Sequence, residues 1–448
     1  MTSEYWSSTD YGSPECIFVP TSSIEVSEFV LIMRLLQNQF AIRGGGHMPI
    51  PLYNNANSNG ILLSTSNLTT LSLSSNNKTL SIGPGKRWID VAEYLLPYGL
   101  AAVGGRVGEV GVPGFLLGGG ISFYASQYGF GSDNVVQYEC VLADGLIVEA
   151  TATNSYNDLF WALKGGGNSF CLVTRFDVTV YSSPSVWVGI TEYDSSQKDA
   201  YINAVYTFGA YGSQDSKAAI IPTTVTFPSL NETIYSAALF YDGAVYNTTV
   251  FENFTVPVMT PIADTFVNQP LATYFAETDA LEPDGERQEF RTVPFVVNET
   301  GVTYVHDTFL SEISQLSSVV GLSASFTFQP MTRQFIQASI NAGGDPQGID
   351  INRAPYFWVV FDWSWQNAAD DATVHNFAVN LTQQLDAQLT AWGLEGGYTY
   401  LNDAGLGQQV FQSYPPANLA RLQSIRTKYD PSGVYTYLMP GGWKVASA

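Results

Sequence analysis

The sequence predicts an α+β protein of two lobes, on three observations. Residues 12–182 are rich in glycine, with short β-type runs between turn signals. After Tyr181-Ser182-Ser183-Pro184 the glycine clusters become few, and residues 185–400 carry longer helical and strand patterns. The chain has 448 residues and 45% hydrophobic content, enough to bury a large core.

In the first lobe, residues 24–39 read as a helix: apolar side chains recur at three- and four-residue spacings behind a serine cap. Residues 79–83, 134–142, 146–151 and 172–180 read as strands, and Asp144-Gly145 signals a hairpin turn between two of them. In the second lobe, 323–330 and 356–365 read as strands and 373–392 as an amphipathic helix. The tail from Tyr398 returns to tight turns, with a helix at 418–429 that stops at Asp430-Pro431-Ser432-Gly433.

Lys and Arg number 18 against 40 Asp and Glu, a formal charge of −22. Nucleic acids and anionic membrane surfaces repel such a chain. No run of about 18 apolar residues marks a membrane span. Low charged content (13%) and seven N-x-S/T sequons, at Asn67, Asn77, Asn231, Asn247, Asn253, Asn298 and Asn380, lean toward a secreted glycoprotein. The first eight residues hold no apolar signal core. A removed signal, a late start and an intracellular protein all fit that. Of the three cysteines, Cys140 and Cys171 sit in apolar runs and read as buried small hydrophobes. The histidines, at 47, 306 and 375, lack metal-ligand spacing, and no Gly-x-Ser-x-Gly elbow points to a hydrolase.

Three triple-glycine runs, Gly44–Gly46, Gly118–Gly120 and Gly165–Gly167, join Gly104-Gly105 within one stretch. Glycine lets backbone approach a ligand closely, so several such loops suit a diphosphate. The usual dinucleotide fingerprint and the P-loop are absent: Gly118-Gly119-Gly120-Ile121-Ser122-Phe123 lacks its last Gly, and Gly85-Lys86 is followed by Arg87. Scattered glycines point away from NAD and ATP folds.

The loop Arg43-Gly44-Gly45-Gly46-His47-Met48-Pro49 resembles the flavin-attachment loop of the berberine bridge enzyme-like oxidases, within the vanillyl-alcohol oxidase or PCMH type of FAD-binding fold. Further matches follow in order: Ser81–Gly85 with Trp88, Gly104-Gly105-Arg106, Val110-Gly111-Val112, Leu117–Ser122, Asp133-Asn134-Val135, Leu159–Asn168, Val173–Phe176, Tyr398–Asn402 and Tyr429–Gly433. The resemblance covers nearly the whole chain. It implies an FAD-binding lobe at 12–182, a substrate lobe at 183–397 whose antiparallel sheet covers the flavin, and a C-terminal segment, 398–448, that completes the FAD lobe.

The resemblance also assigns chemistry. His47 corresponds to the histidine bonded to the flavin 8α carbon. A second, cysteinyl link is expected to be absent, because Val107 stands at that position. Arg43, Gly44, Gly45, Gly46, Gly104, Gly105, Val110, Gly111, Gly118, Gly119, Gly120, Ile121, Ser122, Val173 and Asn402 are expected around the cofactor, with small Val110 favouring access of oxygen. Pro113 replaces a family glycine and removes a backbone N–H there. A base must take a hydroxyl proton while hydride leaves for the flavin. Tyr400 is one candidate, Asp403 stands where many relatives carry a second Tyr, and Asp362 is a third, although its strand position also fits a solvent-facing alternate. Tyr124, Tyr128, Trp358, Trp363 and Trp365 either line a stacking pocket or fill the core. Relatives often pair the cysteine matching Cys16 with one in an N-terminal segment missing here, leaving Cys16 without a partner.

The expected protein is thus a secreted, monomeric FAD oxidase that takes an alcohol-type small molecule, a carbohydrate or secondary metabolite, and O2, yielding H2O2. A dehydrogenase of the same fold and a non-catalytic glycoprotein with a degenerate flavin site are the alternatives.

Overall fold

The computed structural model describes residues 4–281 and 283–448. In the first lobe, β1 (Cys16–Phe18), β2 (Phe40–Arg43) and β3 (Ile61–Ser64) form a parallel sheet with β3 in the centre. Helix α1 (Ser23–Leu36) joins β1 to β2. It ends three residues short of the expected 39, because Gln37 turns left-handed (φ 52°) and the Asn38 N–H donates to Met33 O at 3.1 Å. That closure satisfies a terminal carbonyl and frees the chain to start β2.

A second, antiparallel sheet contains β4 (Leu71–Leu73), β5 (Thr79–Ile82), β6 (Leu100–Ala102), β7 (Val135–Val141), β8 (Ile147–Thr151) and β9 (Leu172–Ser182). Gly145 supplies the positive φ (82°) that the β7–β8 turn needs. The helices of this lobe are short: α2 (Trp88–Leu95), α3 (Val112–Leu117), α4 (Ala125–Tyr128) and α5 (Asn157–Ala162).

The second lobe is one eight-stranded antiparallel sheet. It takes β10 (Val186–Asp194), β11 (Ala218–Phe227), β12 (Glu232–Tyr241), β13 (Ala263–Asp264), β14 (Val267–Gln269), β15 (Arg287–Val296), β16 (Ser323–Met331) and β17 (Tyr356–Trp365). Its order is β13-β10-β12-β11-β16-β17-β15, with β14 also on β10. Three long helices, α6 (Lys198–Tyr211), α8 (Glu299–Glu312) and α10 (Asp371–Ala391), cover one face, while α7 (Leu271–Thr278) and α9 (Arg333–Asn341) pack toward the first lobe.

Strand alternation decides what each face does. Phe357, Val359, Phe361, Trp363 and Trp365 of β17 point into the helix-covered core, while Val360 and Asp362 point the other way. Trp363 is fully buried there. Trp363→Ala is expected to lower stability by about 3–5 kcal/mol in chemical denaturation, with no change in ligand binding on the opposite face.

The C-terminal segment returns to the first lobe. Helix α11 (Pro416–Tyr429) packs on α5, and Asp430 caps the following turn by accepting from Val434 and Tyr435 N–H. The Tyr435 hydroxyl donates to Val141 O on β7 at 2.6 Å. No helix among the described residues is long and apolar enough to cross a membrane.

Candidate active site

Between the glycine loops and the free face of the large sheet lies a cavity of about 490 Å³. Three loops of the first lobe meet there because their glycines let backbone touch backbone. A Cβ on Gly45 would lie 2.5 Å from Gly111 N and Cα, and one on Gly44 would lie 2.5 Å from the Pro113 ring. Pro113 sits in the first turn of α3, where a helix needs no N–H, so the replacement of glycine costs the helix nothing. Arg87 ties the loops together: it donates to Gly45 O at 3.0 Å and pairs with Glu109.

Gly44, Gly45, Gly46, His47, Gly105, Val107, Val110, Gly111, Gly118, Ile121, Val173, Asp362, Tyr400, Asn402 and Asp403 all line the cavity. Arg43, Gly104, Gly119, Gly120 and Ser122 do not, and they act as supports. Arg43 donates to Ser64 Oγ at 2.8 Å and pairs with Glu4. Gly104 makes room for the Trp88 ring, Gly120 for Phe115 and Gly119 for Gln347. The Ser122 hydroxyl accepts from Tyr124 N–H.

His47 is the residue placed most distinctively. Its ring stacks on Trp6, with centroids 4.4 Å apart and planes 9° apart. Burial first, then the Arg87 charge, lowers its pKa to about 4, so the imidazole is neutral at physiological pH. Its Nε2 is buried with no hydrogen-bond partner among the described residues. A buried, unpartnered ring nitrogen on a residue that lines a cavity of this size fits a site built to hold a bound group.

Also on the cavity wall, a polar chain runs from half-buried Arg106 through the fully buried Gln329 to half-buried Asp403. Arg106 donates to Gln329 Oε1. With its oxygen so engaged, the amide turns its two N–H groups to Trp358 O (3.1 Å) and Asp403 Oδ2 (2.6 Å). Burial raises the Asp403 pKa to about 6, against the lowering pull of Gln329 and Arg106. Tyr400 behaves differently. Its oxygen accepts from Ile121 N–H (3.1 Å) and Asn402 Nδ2 (3.0 Å), yet burial and the neighbouring Asp403 push its pKa well up. Asn402 also donates to Phe115 O, and Gly118 must lack a Cβ because one would lie 2.1 Å from Asn402 Oδ1.

The large sheet supplies the remaining wall. Its register places Phe290, Asp362 and Ser325 in one row and Thr223, Thr327 and Val360 in the next. Asp362 therefore faces the cavity, and not bulk solvent as simple strand alternation allows. Among the described residues none of the five aromatic pocket candidates lines the cavity. Trp363 and Trp365 lie in the helix-covered core, Tyr128 stacks on Tyr181, Tyr124 bonds Ser183, and Trp358 packs behind Tyr398 and Tyr400. Cys140 and Cys171 are both buried, and Cys16 is exposed. No group of three or more His, Cys, Asp or Glu side chains among the described residues is placed to hold a metal ion.

Sequence reasoning named neither Trp6 nor Gln329, and it treated Arg106 only as part of a motif. Arg106 carried a signal, the one basic residue of the glycine loop at 104–111.

Residues 14–151 match the model of an FAD binding domain. A FAD-dependent monooxygenase, prx3, of Penicillium roqueforti is 35% identical over 99% of this chain and 89% of its own length. An uncharacterized FAD-linked oxidoreductase of Arthroderma benhamiae is 31% identical over 98% and 89%. Among solved structures, 6-hydroxy-D-nicotine oxidase of Arthrobacter nicotinovorans superimposes with a TM-score of 0.79 at 20% identity, covering 97% of this chain and 94% of that one. Xylooligosaccharide oxidase of Myceliophthora thermophila gives 0.75 at 17%, covering 98% and 94%. The solved structures share the fold, and the sequence relatives share the family. The chain belongs to the family of these FAD-linked oxidoreductases, and its fold is that of the berberine bridge enzyme-like, PCMH-type flavoproteins.

Proposed function

We propose that this FAD-linked oxidoreductase is a secreted oxidase that holds FAD covalently through His47 and oxidises an alcohol-type small molecule, with O2 as the acceptor. FAD bound there would supply the two-electron redox chemistry between substrate and oxygen. The protein's own residues bind, orient and move the proton. His47 and the loops at 44–46, 104–111 and 118–122 hold the cofactor, with Val107 in place of a second attachment point. Asp403 takes the substrate's hydroxyl proton. Asn402 and Tyr400 fix the loop that carries it, and Val110 leaves room for oxygen.

The observation that carries this reading is the pairing, across one cavity, of a neutral His47 with an orphaned nitrogen and a carboxylate whose pKa lies at about 6. Such a carboxylate is ionised at neutral pH yet basic enough to accept a proton. Tyr400, with its pKa raised, stays protonated and serves as a hydrogen-bonding post. Hydroxyls of Ser325, Thr327 and Thr223 on the sheet wall favour a substrate carrying several hydroxyl groups. Exposed Asn67, Asn77, Asn231, Asn247 and Asn380 leave room for glycans and support secretion.

The test is a panel of sugars and secondary alcohols with peroxide detection, followed by a pH profile on the best substrate. kcat/KM is expected to rise through about pH 6, as Asp403 ionises. A profile that is still climbing above about pH 10, the free-tyrosine value, assigns the base to Tyr400. Relatives carry the name monooxygenase, a reaction that consumes an outside reductant. One peroxide per substrate oxidised, with no reductant added, supports the oxidase and rules out that chemistry.

A further inference from the structure

We propose that the N-terminal strap, residues 4–11, positions His47 for flavin attachment, with Trp6 setting the plane of the imidazole ring. The inference rests on the covalent reading above and adds the device that prepares the nucleophile.

The strap crosses from the attachment loop to the second lobe. Trp6 N–H donates to Gly46 O at 3.1 Å, and Gly285 N–H donates to Trp6 O at 2.8 Å. Ser8 N–H reaches Glu286 O at 2.8 Å, and Gln288 N–H donates to Ser7 Oγ at 3.0 Å. Leu52 N–H donates to Asp10 Oδ1 at 2.6 Å and anchors the far end. Gly46 has φ 70°, and a Cβ there would lie 2.2 Å from Glu4 O. The third glycine of the attachment loop is thus the seat of the strap.

These contacts hold the Trp6 indole stacked on His47 and tilted against Phe290 of β15, with centroids 4.4 and 5.2 Å away. Trp6 is only 4% exposed. Trp6 Nε1 and His47 Nε2 are both buried without hydrogen-bond partners among the described residues, and both side chains line the cavity. A stack removes the rotational freedom that an imidazole otherwise loses on reaction, and near-attack orientation is where such a bond gains most of its rate. Overall, one imidazole N–H and one 8-methyl C–H bond break and one N–C bond forms. The two electrons and two protons released pass to O2 as H2O2.

The test measures flavin left on the protein after acid denaturation, against total flavin in the native spectrum, over the hours after FAD is added to flavin-depleted protein. Trp6→Leu should bind FAD but attach it about tenfold more slowly, the factor that an aromatic pair supplies. Trp6→Phe keeps a ring in place and should recover most of the rate. Ser7→Ala, which loosens the strap and leaves the indole, should slow attachment about threefold. If Trp6→Leu does not fold, Trp6→Phe and Ser7→Ala carry the comparison. Equal attachment rates in the wild type and in every variant that folds overturn the proposal. A wild type with no covalent flavin overturns both it and the reading on which it rests.

Discussion

Asp403→Asn is expected to lower kcat by about a thousandfold, within the range that general-base residues contribute. The variant should keep its flavin and its fold. Asparagine is nearly isosteric, and its oxygen still accepts from Gln329, so the Arg106–Gln329 chain remains paired. The stability effect has a definite sign. The folded-state pKa of Asp403 is raised from 3.8 to about 6, so folding holds the proton more tightly than the unfolded chain does. Stability from this group falls as pH rises from about 4 to about 6, and the ionised form is a net cost above that. Asp403→Asn should therefore melt no lower than wild type at about pH 8 and lose any advantage at about pH 4. Tyr400→Phe makes the contrast. It orphans Ile121 N–H and one Asn402 bond, so it should weaken the site without abolishing turnover. A Tyr400→Phe loss as large as that of Asp403→Asn would move the base to Tyr400.

Gly45→Ala is expected to abolish flavin retention. The new methyl would meet Gly111 backbone at 2.5 Å, and neither loop has a flexible side chain to yield there. The loops must part, at a cost of about 1–3 kcal/mol, and the cradle for the cofactor opens. Leu35→Ala is the control, because Leu35 is exposed on α1 and does not line the cavity. Flavin absorbance per protein after desalting checks both. Full retention in Gly45→Ala would mean that the loop contact has no part in binding.

The glycine loops were legible in sequence because close backbone approach leaves glycine no substitute. Gly44, Gly45 and Gly46 each face a different neighbour, and each is forced. The β5, β7, β8, β9, β16 and β17 strands were legible from their apolar runs, as was the long helix α10. The face presented by β17 was not. Whether Asp362 meets solvent or the cavity depends on what covers that side of the sheet, and a strand's own pattern does not record its cover. Gln329 escaped for a related reason: it meets Arg106 from 223 residues away, by a side-chain hydrogen bond between the two lobes. The base stayed open among Tyr400, Asp403 and Asp362 because burial, absent from the sequence, is what sets the pKa values of Tyr400 and Asp403. Trp6 was read as part of a terminal segment, and only the strap's hydrogen bonds to Gly46 and Gly285 bring it to His47.

The most direct test of the account is a visible spectrum of the wild type and of His47→Ala, taken on the pellet and the supernatant after acid precipitation. The account predicts yellow colour in the wild-type pellet and, for His47→Ala, flavin released into the supernatant. Wild-type flavin found wholly in the supernatant would contradict attachment through His47.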